Sequence, residues 1–415
     1  MTLDPVHFAG IPDLVRDVAD GVDEAEHRAD AERVWEHYFD PLYDDGSVLE
    51  PLGEQARYLA DATDAGASDP AFDAVHGIDS GTINPRAFKN GLVLDVAQAA
   101  MGAVPGDVDT HRHRTVIATM LRRDRTVETR SFDPDAWRRR DEGYWRGQAI
   151  DAPYVERNER AVVHALSLYL AESEHAHAHF ERVPECLLLD GPLYPKVVTN
   201  WLDRDEALAT LPVENDLTRR VIRNYLGLVE RAVETDTVLA GFVKNVSSRG
   251  IVAALSQKTH APWIDDAELF GQLLERREDD ERDIGDIAYT NWFLSRVGYD
   301  REFSTLGTRL DLELELDPEA YEVAFCVLYD PRTDTVYKAE LPRAFADDEA
   351  VRERVTDQLV RDVAAETGPP EAVGRADELA RISVGETREL VDAIAAAMDT
   401  EPREGYDVDR WGIDA

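Results

Sequence analysis

The apolar residues of this chain change their spacing near residue 70. Before that point Ile11–Val22 and Asp30–Tyr38 carry them at every third or fourth position, and Leu52–Ala62 continues to a break at Gly66-Ala67-Ser68-Asp69-Pro70. That spacing predicts helix. Beyond it, compact apolar runs take over. Ala74–Asp79, Gly91–Ala97 and Thr115–Leu121 predict three strands, and the short loops between them favour an antiparallel meander. Helical spacing returns from about Pro153 to Ala178, with Pro153 suited to a first turn. Cys186–Asp190 predicts a fourth strand, parallel to its neighbour because a helix leads into it.

Further on, Asn215–Glu234 and Ala267–Arg277 read as helices, and Val238–Val243 as a strand. Leu310–Glu315, Glu322–Leu328 and Thr335–Glu340 read as late strands, the last two joined by a turn at Asp330-Pro331-Arg332-Thr333-Asp334. Asp348–Glu366, Glu371–Ala380 and Gly385–Met398 predict closing helices, and Glu401–Ala415 is polar and expected to be loose. The order predicts an α/β fold, a mixed sheet flanked by helices. Residues 1–70 form a helical N-terminal extension in this reading, 71–400 the main domain and 401–415 a tail.

Two of the predicted strands deliver an aspartate. They are His76-Gly77-Ile78-Asp79-Ser80-Gly81-Thr82 and Leu187-Leu188-Leu189-Asp190-Gly191-Pro192-Leu193. A carboxylate at the end of a buried strand is unfavourable unless something positive lies beside it. An Asp-Gly turn explains either motif alone; the two together point to adjacent strand ends sharing a divalent cation. On the intervening helix, Glu159 aligns with Val155, Val162, Val163, Leu166 and Leu170, which places it on the sheet-facing side. The same alignment leaves Glu156 and Glu172 to solvent. Three hard carboxylates suit Mg²⁺ or Mn²⁺ better than zinc, and such ions activate water and stabilise the leaving oxygen of a phosphodiester.

Charge alters the picture in two places. The formal net charge of the 415 residues is −40, from 85 Asp plus Glu against 45 Lys plus Arg, with lysine rare beside arginine. The acidic residues are spread over nearly every surface segment, a distribution that fits a salt-filled cytosol where screening removes self-repulsion, as in a halophile. At molar salt, counterion release adds little to DNA affinity, so it does not exclude a nucleic-acid partner. One stretch runs against the trend: ten arginines lie between His111 and Arg146, with Trp137, Tyr144 and Trp145 among them. Arg138, Arg139 and Trp137 fit either a charged surface or a groove that grips a strand by phosphate pairing and base stacking. After the strand at Val238–Val243, Lys244 and Arg249 fit either an ordinary strand-to-helix turn or a pair holding a scissile phosphate.

Other chemistry is not signalled. Cys186 and Cys326 are the only cysteines, both in apolar runs, and are expected as buried thiols in a reducing compartment. His175, His177 and His179, two apart, do not share a helical face, no cysteine pair completes a zinc set, and they read as a solvated helix end. The G-x-S-x-G elbow, the Walker loop and G-x-G-x-x-G are absent. With no signal-like N-terminus and no run of 18 apolar residues, the expectation is a cytoplasmic protein without membrane contact.

The order of Ile78-Asp79-Ser80-Gly81, Leu188-Leu189-Asp190-Gly191-Pro192-Leu193, Gly241-Phe242-Val243-Lys244 and Val336-Tyr337-Lys338-Ala339-Glu340-Leu341-Pro342 resembles the NurA nuclease family over roughly residues 70–400. The resemblance implies an RNase H-like fold and a Mn²⁺-dependent nuclease for single- and double-stranded DNA with 5′-to-3′ exonuclease activity. It also implies a homodimer that docks on a HerA-type hexameric translocase for end resection of double-strand breaks. Asp79 and Asp190 would be metal ligands, Glu159 the helix glutamate between them and Lys244 the residue that neutralises charge on the phosphate. The family's last motif usually carries a histidine where Arg375-Ala376-Asp377-Glu378 stands here, so Asp377 would take its place as a fourth ligand. That departure leaves a second expectation open, a catalytically inactive dimeric adaptor for a translocase. An enzyme for RNA or hybrids is a third.

Overall fold

In a computed structural model, the protein is described at residues 24–44, 46–122, 136–204, 206–279, 281–296 and 312–403, with Ile11, Pro12, Val15, Asp300 and Leu310. Most of the Ile11–Val22 segment and of the polar C-terminus, and the arginines at 123–130, lie outside the described residues.

Among the described residues, fifteen strands form one sheet. In chain order they are β1 (Leu42–Tyr43), β2 (Ser47–Pro51), β3 (Arg57–Asp61), β4 (Val75–Thr82), β5 (Arg86–Ala87), β6 (Val93–Val104), β7 (His113–Leu121), β8 (Arg138–Arg140), β9 (Gly143–Asp151), β10 (Cys186–Asp190) and β11 (Val238–Val243). The last four are β12 (Asp286–Thr290), β13 (Phe293–Ser295), β14 (Val323–Asp330) and β15 (Thr335–Pro342). The main path runs β1-β2-β13-β14-β15-β11-β10-β4-β6-β7-β9-β8. β4, β6 and β7 form the expected antiparallel meander, and β10 sits parallel to both β4 and β11. The fold is therefore mixed α/β, as the alternation of elements predicts.

The longer helices are α1 (Glu24–Tyr38), α2 (Glu159–His179), α3 (Asp216–Thr235), α4 (Gly250–Ser256), α5 (Asp266–Leu274), α6 (Glu349–Glu366), α7 (Glu371–Ala380) and α8 (Val384–Ala397). Strand alternation sorts them onto two faces. Ile78, Ala97, Ala99, Met101, Ile117, Leu187 and Leu189 pack against α2 and α3, while Phe325, Val327 and Tyr329 on the same face meet α1, α4 and α5. The other side of the sheet, with Cys186, Leu188, Phe242, Ala339 and Leu341, packs on α6 and α7, and Leu94 and Val96 pack on α8. Both cysteines are buried free thiols. Among the described residues, no helix is long and apolar enough to cross a membrane.

Three expectations about elements fail. The segment predicted as a helix over Leu52–Ala62 instead contains β3, which pairs antiparallel with β12 along its whole length. Its apolar residues are few and partly exposed, so cross-strand hydrogen bonds decide its state. The described part of Leu310–Glu315 forms no strand. The helix expected from Pro153 begins only at Glu159, because β9 runs on to Asp151 and Asn158 turns the chain in the left-handed region at φ 62°.

A candidate carboxylate metal centre

The site forms where two parallel strands and one helix meet. Leu189 of β10 is level with Ile78 of β4, so Asp79 and Asp190, one residue further along each strand, stand side by side on the same face. β4 does not turn after Asp79 but continues to Thr82. The glycines around Asp79 have another purpose: a Cβ on Gly77 or Gly81 would run into the carbonyl oxygens of Ala372 and Ala380, and one on Gly102 would lie 2.7 Å from Ala372 O. Their absence lets α7 lie directly on the sheet. That approach delivers Asp377. One carboxylate oxygen from each of Asp79, Asp190 and Asp377 falls within 4.8 Å of the others. After Asp190 the chain reverses through Gly191 at φ 135°, a conformation that favours glycine.

Electrostatics mark the cluster as incomplete. Burial and then the neighbouring Asp190 charge push the Asp79 carboxyl up to about 7, against a hydrogen bond from Ser80 N–H at 2.7 Å. Burial also raises Asp190, which Lys244 restrains by donating from Nζ to Oδ2 at 2.6 Å. Opposite Asp79, on the α2 side of β4, lies Glu172. It is buried, accepts a hydrogen bond from Tyr225 Oη at 2.7 Å and meets Ser80 Oγ at 3.4 Å. Burial pushes its carboxyl up to about 8, and the charges of Asp79 and Asp190 add to that. Glu172 lies across β4, and Asp79, Asp190 and Asp377, with one lysine in direct contact, form a donor set of hard oxygens. It fits a divalent cation of the Mg²⁺ or Mn²⁺ type, whose charge would offset the repulsion.

The structure brings Asp79, Asp190, Lys244 and Asp377 together. Glu159 does not join them: it stands at the N-terminus of α2, partly exposed, and has no place in the cluster. The buried carboxylate of the helix lies about three and a half turns further on, at Glu172, where α3 covers α2 as well as the sheet. Glu172 is not solvated, contrary to the expectation from sequence. The signal for it was present, because Ala165 and Ala176, seven residues before and four after, are both buried.

The histidine expectation also fails. His175 and His179 are buried, and the His179 ring packs with His113, Trp137 and His175 at centroid distances of 4.6–5.1 Å, so this is not a solvated helix end. Burial holds His175 and His179 below the usual histidine range, His179 at about 3. Trp137, partly exposed, packs against these imidazoles and the Arg146 guanidinium. Arg138 and Arg139 lie on the edge strand β8, remote in the sheet order from β4 and β10. Arg249 is exposed before α4 and lines a cavity of about 190 Å³ with Lys196, Ser248, Asp266 and Lys338. Lys244 lines a separate cleft of about 500 Å³ with Asn245, Ser247 and Gln272. Behind the 190 Å³ cavity is a buried charge network the sequence did not signal. Glu340 accepts from Lys196 Nζ at 2.7 Å and pairs with Lys338 at 2.8 Å, while its second oxygen accepts from Leu193 N–H at 3.0 Å.

A mixed sheet with acidic residues gathered at its strand ends and under a flanking helix defines a carboxylate-centred site of metal-assisted chemistry. The chain belongs to the NurA nuclease family: the NurA domain model matches residues 73–382, a span that holds all four carboxylates and Lys244. Among solved structures, the NurA nuclease from Sulfolobus solfataricus is similar at 12% identity and a TM-score of 0.46, covering 92% of this chain and 97% of that one. A NurA structure bound to dAMP and manganese is similar at 10% identity and 0.45, covering 94% and 97%. A third, with manganese, gives 9% and 0.42, covering 80% and 90%. No curated protein matches the chain.

Proposed function

We propose that this chain is a divalent-metal-dependent DNA nuclease in which Asp79, Asp190 and Asp377 hold the metal. The carrying observation is the convergence of these three carboxylates within 4.8 Å, with Asp79 pushed up to about 7 by burial and then by the Asp190 charge. Such a cluster is unstable when fully ionised and empty, and becomes favourable when a cation occupies it. Glu172, linked to β4 through Ser80, is the helix carboxylate behind the cluster in place of Glu159, and it acts on the cluster by charge, not as a ligand. Manganese is the preferred ion in this reading and magnesium the alternative; the bound ion would supply Lewis-acid activation of the phosphodiester.

The protein's own groups have definable parts. Lys244 touches Asp190 and is placed to neutralise charge on a phosphate oxygen entering the cluster. Asp377 comes from a helix where the family carries histidine, and a carboxylate there keeps the donor set hard and removes a group that titrates near neutrality. Arg249 and the Arg138–Arg139 edge are candidate backbone contacts. The family also supports the finer reading: 5′-to-3′ exonuclease and single-strand endonuclease action at double-strand-break ends, in the cytoplasm, by a homodimer working with a HerA-type hexameric ATPase.

The test is degradation of end-labelled linear DNA in high KCl with Mn²⁺. Wild type should cut, and Asp79→Ala and Asp190→Ala should not. Cleavage retained in either variant removes that residue from the metal site. Absence of cleavage by wild type, with and without a translocase, favours the adaptor.

A further inference from the structure

The edge of the sheet furthest from the N-terminal strands carries a cleft that the metal centre does not use. It has a volume of about 440 Å³ and is lined by His111, Arg112, Arg114, Arg140, Tyr144 and Trp145, with Glu142 as its acidic member. In a chain of net charge −40, three arginines facing one glutamate make a local reversal of sign. Arg112 reaches Glu142 at 3.4 Å. Arg140 is exposed and enters no ion pair among the described residues. Trp145 keeps 36% of its surface open, and the Arg138 guanidinium stacks over its ring at 5.0 Å. On the adjoining position Arg139 lies over Tyr144 at 5.9 Å.

The sheet register connects this cleft to the catalytic face. Asp79 is level with Ala100 of β6. One residue on from the Ala99–Thr115 pair, Ala100 comes level with Arg114 of β7. Arg114 is level with Trp145 of β9, and Trp145 with Arg138 of β8. Residues level across a sheet share a face. Asp79, Arg114, Trp145 and Arg138 therefore stand in one row on one side, with α7 between the first and the rest. Four strand steps at about 4.8 Å put Trp145 and Arg138 roughly 15–20 Å from Asp79. That is too far to touch the nucleotide being cut and close enough for the same strand several nucleotides away.

We propose that the cleft is a second, non-catalytic binding site for single-stranded nucleic acid, with a base stacked on the Trp145–Arg138 pair and phosphates held by Arg112 and Arg140. The inference rests on the nuclease reading for its substrate, but not for its geometry. Planar cation on indole is a surface onto which any base adds, and arginines at the rim supply sequence-independent affinity. The cleft would hold the strand while the metal centre acts on its end.

The test is binding, separated from cleavage. Labelled single-stranded oligothymidylate of about 20 nucleotides is titrated with the full chain in EDTA, and anisotropy is read at several KCl concentrations. Trp145→Ala should weaken binding roughly tenfold, the loss typical of one stacked base. Arg140→Glu, on an exposed side chain, should weaken it as well and flatten the salt dependence. With Mn²⁺ present, both variants should raise KM for the long strand more than they lower kcat. Equal binding by wild type and both variants overturns the proposal. Wild type that binds through this cleft yet cuts nothing leaves the cleft standing and removes the nuclease reading.

Discussion

Replacing Asp79 by asparagine should make the metal-free protein more stable. The Asp79 carboxyl rises from an ordinary 3.8 to about 7 because it is buried beside Asp190. The folded state therefore holds a proton that the unfolded chain releases. Stability from this group is present below pH 4 and is lost as pH rises to about 7. A shift of about three units corresponds to roughly 4 kcal/mol at neutral pH and above. Asparagine keeps the Oδ1 that accepts from Ser80 N–H and leaves the Lys244–Asp190 pair intact, so charge is the main change. Urea unfolding in EDTA at pH 8 should show Asp79→Asn more stable by about 2–4 kcal/mol, allowing for relaxation of the site. At pH 4 most of the difference should vanish. Adding Mn²⁺ should stabilise wild type and not the variant. A variant equal to wild type at pH 8, or a gain independent of pH, would refute the view that burial beside Asp190 destabilises the ionised Asp79 carboxylate.

Other consequences are equally direct. Glu340→Ala leaves the buried Lys338 and the half-buried Lys196 without their shared carboxylate, Lys196 keeping Asp300, and should cost about 3 kcal/mol by chemical unfolding; a loss below 1 kcal/mol would mean water replaces it. His179, held near 3 by burial and by the charges around it, binds its proton only in the unfolded state between about pH 6.5 and 3. Stability should fall by up to about 3 kcal/mol from pH 6.5 to 4, and His179→Leu should flatten that slope. Gly81→Ala places a methyl against the Ala380 carbonyl, so α7 must lift; a loss of Mn²⁺ affinity larger than the loss of stability is the expected pattern, read by metal titration and thermal melts.

Much was legible in the chain itself. Apolar runs of strand length with short connections encode the β4–β6–β7 meander, and the helix before Cys186–Asp190 encodes its parallel pairing. These follow from local periodicity and chain connectivity. Asp190 at the end of its strand and Asp79 within its own were legible for the same reason: an Asp-Gly turn explains either alone, but two carboxylates in apolar runs point to a shared cation. Asp377 was reached only through family resemblance. Its arrival at the cluster depends on Gly77, Gly81 and Gly102, glycines more than 270 residues away that leave room for α7. Glu159 and Glu172 show the complementary failure: α3 packs on α2 as well as the sheet, so Glu172, off the apolar stripe of Glu159, is buried against Tyr225 and Ser80. The buried imidazoles show it again, because strand β7 and Trp137, distant in sequence, turn a polar helix end into interior. Periodicity fixes which side of an element is apolar. Which polar group meets which partner is set by where elements begin and how closely their backbones approach, and both are properties of the folded chain.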